Sequence, residues 1–61
     1  MSQIQYVSND ESRRIIEDRE PLGLFFLKDG EVYIGIDNSY GDAFVEEFDS
    51  LEACQKWLIQ Y

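Results

Sequence analysis

A chain of 61 residues has room for one small domain, which at this size buries only about 60% of its unfolded surface and gains from any partner. An apolar fraction of 44% with nine aromatics excludes a disordered acidic tail. A formal net charge of −8 argues against nucleic acid and anionic membrane as direct ligands and in favour of basic protein surfaces.

The charge is uneven. Residues 20–61 hold nine acids against Lys28 and Lys56, while Arg13, Arg14 and Arg19 all lie before them. Cys54 is alone, which rules out an intramolecular disulfide and a cysteine-built zinc site. No basic and apolar leader pattern opens the sequence, and no apolar run reaches the ~18 residues of a membrane span. The expected compartment is the cytoplasm.

In chain order, Ile4 and Tyr6 alternate with polar residues as in a short strand. Ser8 and Glu11 then stand at capping-box spacing before a helix over about 9–19, which Pro21 ends. That helix offers only Ile15, Ile16 and Ser12 to a core. Residues 1–20 are thus expected as either a mobile arm or a cover for the sheet.

Three strands are predicted next, over about 22–28, 31–37 and 43–48. Asp29-Gly30 suits a two-residue type I′ loop, which sets Lys28 opposite Glu31, Leu27 opposite Val32 and Phe26 opposite Tyr33. Asn38 to Gly41 suits a four-residue loop whose last residue is left-handed, placing Asp37 opposite Asp42 and Phe44 across Gly35. One face of this meander collects Phe25, Leu27, Val32, Ile34, Ile36, Ala43 and Val45. The other collects Leu22, Leu24, Phe26, Tyr33, Phe44 and Phe48.

A closing helix over about 50–60 is marked by Asp49 and Glu52 at capping-box spacing and by the stripe Leu51, Cys54, Leu58 and Tyr61. Its simplest seat is the aliphatic face, with Trp57 at the margin. The expected fold is therefore α+β: an antiparallel three-stranded meander with a C-terminal helix on one face. The aromatic face needs a different cover. The N-terminal segment, a second copy in a homodimer and another protein all fit that role.

Chemistry is sparse. The chain has no histidine, so the commonest general base and zinc ligand is missing. Its glycines lie on separate strands and turns, with none of the clustering of a phosphate-binding loop. No cofactor and no catalytic activity are expected. Asp37 and Asp42 flank a turn with Asn38 and Ser39, where a calcium ion would find oxygen ligands; capping of the turn backbone is the plainer role for such acids. Carboxylates on Asp29, Asp37, Asp42, Glu46, Asp49 and Glu52 have the character of a phosphate mimic, or simply of a solvated acidic surface.

The segment Tyr33 to Leu58 carries Ile36-Asp37-Asn38, Gly41-Asp42-Ala43-Phe44, Val45 to Phe48, Cys54 and Trp57-Leu58. In this it resembles short uncharacterised proteins of phages and prophages of Gram-positive bacteria. The resemblance implies a phage origin and, by the habits of small acidic phage proteins, an inhibitor of host machinery, including restriction, CRISPR or Hachiman-type defence. The expected function is a non-enzymatic binding module that docks on a basic host protein through Asp37, Tyr40, Asp42, Glu46 and Glu47. A small structural or regulatory homodimer is the alternative.

Overall fold

The computed structural model describes residues 4–59. It is an α+β fold: a four-stranded sheet in the order β1-β2-β3-β4 with two helices. The strands are β1 (Ile4–Tyr6), β2 (Gly23–Asp29), β3 (Val32–Asn38) and β4 (Phe44–Phe48); the helices are α1 (Asn9–Asp18) and α2 (Leu51–Ile59). The predicted meander is present as β2-β3-β4, and β1 joins it in parallel beside β2. The sheet is therefore mixed, with α1 as the crossover that a parallel pair requires.

Helix α1 begins where the sequence signals it. The Ser8 hydroxyl accepts from Glu11 N at 3.1 Å while Ser8 N donates to Glu11 Oε1 at 2.9 Å, and Asp10 and Glu11 face the positive end of the helix dipole. It ends at Arg19 in the left-handed conformation (φ 59°), whose N–H donates to the Ile15 carbonyl at 2.7 Å. Residues 4–18 are thus a strand and a sheet cover, which disposes of the mobile-arm alternative over that span.

Helix α2 takes the face opposite to the expected one, and α1 covers the aliphatic face, not the aromatic face for which the N-terminal segment is one candidate cover. Helix α1 seats Ile15 on the aliphatic face, in a core with Val7, Phe25, Leu27 and Ile36. Helix α2 lies on the aromatic face, where Cys54 and Leu58 pack with Leu24, flanked by Ile4, Phe26, Tyr33, Phe48 and Trp57. Shape explains the exchange. Gly35 leaves a dent in the aromatic face, and a Cβ there would stand 3.0 Å from the Trp57 ring and 3.2 Å from the Cys54 sulfur. A helix carrying a broad Trp beside a small Cys fits that dent. The aliphatic side, with Ile34 and Ile36 flanking the same position, receives α1, which buries only Ser12 and Ile15.

Both registers also differ from expectation. Asp29 pairs with Val32 and Leu27 with Ile34, so the tight loop is Gly30-Glu31. Gly30 has φ 64° and Glu31 is not in the left-handed region, the arrangement of a type II′ loop, which wants Gly first. Lys28 consequently faces Tyr33, its Nζ 5.8 Å from the ring centroid, and not Glu31. In the second hairpin Asp37 pairs with Phe44 and Gly35 with Glu46. Each register moves by two residues, an even step that preserves the face assignments of the residues in the strands; Ala43, expected on the aliphatic face, lies in the loop before β4.

Side chains replace ladder rungs in the longer loop. Asp37 Oδ1 accepts from Ser39 N at 3.1 Å and from Ser39 Oγ at 2.6 Å. Fully buried Asn38 accepts from Ala43 N at 3.1 Å and donates through Nδ2 to the Pro21 carbonyl at 2.9 Å. Gly41 has the expected positive φ, 81°, and Ala43 adopts one as well, 51°. Helix α2 is capped by Ser50, whose Oγ accepts from Ala53 N at 3.1 Å, and not by Asp49. Of its predicted stripe, Cys54 and Leu58 are buried and Leu51 half-buried, while Tyr61 lies outside the described residues.

Candidate functional site

The cap network around Asn38 and Asp37 projects the tip of the β3–β4 loop over the start of β4. Tyr40 stands at that tip, 89% exposed, and Phe44 opens β4 at 61% exposed. Trp57 reaches the same region from α2, its ring 5.6 Å from that of Phe48 and above Gly35. Between them lies a cleft of about 440 Å³. Its apolar wall is Tyr40, Phe44 and Trp57, its polar members are Asp37, Asp42 and Glu46, and Val45 borders it from β4 with its side chain turned to the α1 side opposite Ile36.

Four of the five residues expected to touch a partner, Asp37, Tyr40, Asp42 and Glu46, thus converge on one concavity. The fifth does not. Glu47 pairs with Ile34, which turns its side chain to the α1 side of the sheet. Trp57 completes the apolar wall without having been anticipated. The interior glycine of β3 is the sequence signal that points to Trp57, since a strand glycine marks a close approach by another group.

The aromatic face divides in two. Leu24 is buried and Phe26, Tyr33 and Phe48 are half-buried beneath α2, so α2 is their cover, and the N-terminal segment flanks them as β1, with Ile4 packed beside Leu24, instead of folding across them. Tyr6 adds an edge contact to Phe26, with ring centroids 5.2 Å apart. Phe44 alone of the strand residues in that set stays open, beyond the reach of the helix, and becomes part of the cleft wall.

No family model, curated protein or solved structure matches the chain. The cleft therefore has to be read from its own chemistry. Among the described residues, every charged group lining it is a carboxylate. Asp37 is buried and committed to Ser39, so it shapes the loop, whereas Asp42 and Glu46 are exposed and free to meet a ligand. A cation set against aromatic rings gains from their quadrupoles, by roughly 0.5–1 kcal/mol where exposed and about 2 where desolvated. Carboxylates at the rim add charge-assisted hydrogen bonds. Such a lining suits a guanidinium or ammonium group on an aliphatic stem.

Among the described residues no group of three or more His, Cys, Asp or Glu is placed to hold a metal ion, and Asp37 acts as a backbone cap. No described helix is long and apolar enough to cross a membrane.

Proposed function

We propose that the chain is a non-enzymatic protein-binding module, a small acidic inhibitor of the phage type that docks on a basic surface of a host protein in the cytoplasm. The observation that carries this reading is the gathering of Tyr40, Asp42, Phe44, Glu46 and Trp57 around one cleft. Interface hot spots favour Trp and Tyr that a partner desolvates on binding, with Arg as a frequent partner, and each is worth ~2 kcal/mol or more. An acidic rim speeds encounter with a basic partner and turns away acidic ones.

The decisive test is capture from a Gram-positive host lysate with mass-spectrometric identification of what is retained. Retention of a protein with a basic patch, lost when Asp42 and Glu46 are both changed to Lys, is the expected result. Recovery of the chain alone, together with a dimer by sedimentation at tens of micromolar, would favour the homodimer alternative and remove the inhibitor reading.

A further inference from the structure

We propose that β4 receives an extended basic segment of the partner as a fifth strand, with one Lys or Arg side chain of that segment seated in the cleft. The inference rests on the protein-binding reading and adds to it a mode and a sequence pattern.

Strand β4 is the last in the sheet, and among the described residues no strand pairs with its outer side. An edge of that kind presents unpaired N–H and C=O groups to any extended chain. Natural sheets guard such edges with Lys, Pro or bulges. Here the guard is acidic only: Glu46 on the α2 side of the sheet and Glu47 on the α1 side, both exposed. The symmetric antiparallel pairing of two copies that overlaps all of β4 sets Glu46 against Glu46, and directly opposed like charges repel; a pairing centred on Val45 overlaps only residues 44–46. The edge disfavours full overlap with a second copy and favours a basic strand.

Charge complementarity also fixes the pattern. An antiparallel segment meets Glu47, Glu46, Val45 and Phe44 in that order, so its complement reads basic, basic, apolar, apolar. The residue facing Glu46 lies on the same side of the sheet as Trp57 and Phe44, and its side chain enters the cleft. The residue facing Glu47 lies on the other side. Two adjacent carboxylates on opposite faces thus ask for two adjacent cations, which gives Glu47 a role that the cleft alone does not.

The probe is the acetylated, amidated peptide Thr-Arg-Arg-Val-Val-Thr, titrated into the full chain at low salt. Its controls carry Glu for Arg, or N-methyl groups on alternate amides. Saturable binding should slow amide hydrogen exchange across residues 44–48 and shift the emission of Trp57, the single tryptophan. Affinity should fall about tenfold or more on N-methylation, for the Glu peptide, and for the Glu46→Lys and Glu47→Lys variants. Equal binding of the N-methylated peptide, protection elsewhere than 44–48, protection of 44–48 in the free chain through self-association, or no saturable binding each overturns strand addition. If the lysate capture still yields a charge-sensitive partner, only strand addition is lost and the binding reading stands; if no partner is captured, the binding reading itself is lost.

Discussion

Asn38 shows how much one buried amide decides. Its side chain accepts from Ala43 N and donates to the Pro21 carbonyl, tying the α1–β2 connection to the loop that presents Tyr40 and Asp42. Asn38→Ala should lower unfolding stability by about 2 kcal/mol in urea titrations, because two backbone groups lose partners inside the fold. The same change should weaken partner binding more than the stability loss explains, since the cleft wall loses its anchor. Arg19 offers the opposite sign. It holds a left-handed φ of 59° at the end of α1, where glycine has no steric penalty. Arg19→Gly should therefore raise stability by up to about 1 kcal/mol, read as a higher thermal midpoint. Cys54 is fully buried, and burial pushes its thiol above the ordinary 9.0. The folded state favours the neutral thiol, so this contribution is complete below pH 9 and is lost as pH rises through that value and beyond. Native chain should resist alkylation at pH 8 and react once unfolded in urea, and Cys54→Ala should lessen the alkaline loss of stability.

At the level of elements, Gly35 and α2 form one unit. A Cβ on residue 35 would press within 3.2 Å of both Trp57 and Cys54, and a packed core accommodates such an intrusion poorly. Gly35→Ala should cost about 1–3 kcal/mol and alter Trp57 emission, with circular dichroism confirming that the helix persists. This contact also explains where the sequence was legible and where it was not. Strand spans and faces could be read because apolar alternation repeats over several residues and survives an even slip in register. The Ser8 box could be read because its atoms are local. Helix placement could not, since both sheet faces are apolar and the choice between them turns on a missing side chain in β3 meeting a large one in α2. Register escaped for a similar reason: Gly30 as first loop residue and Asn38 as a surrogate rung are decided by side-chain geometry that spacing does not carry. In the cleft, the acids and Tyr40 were legible from charge and loop position, whereas Trp57 required the helix to be on the right face.

Over the whole molecule, charge makes stability and binding respond to salt in opposite directions. Nine acids against two lysines in residues 20–61 repel one another in the folded chain, where they are held closer than in the unfolded one. The screening length shrinks from ~30 Å at ~0.01 M salt to ~8 Å at physiological ionic strength. The thermal midpoint of the free chain should therefore rise as sodium chloride is added over that range. Capture of a basic partner should weaken over the same range, chiefly through a slower association rate, because the attraction that steers encounter is screened by the same ions. An apolar homodimer follows neither half of this pattern: its association would hold steady or strengthen with salt. Parallel melting and binding series in one set of buffers thus separate the two readings. Curves that move together, both strengthening with salt, would count against electrostatic docking at the cleft.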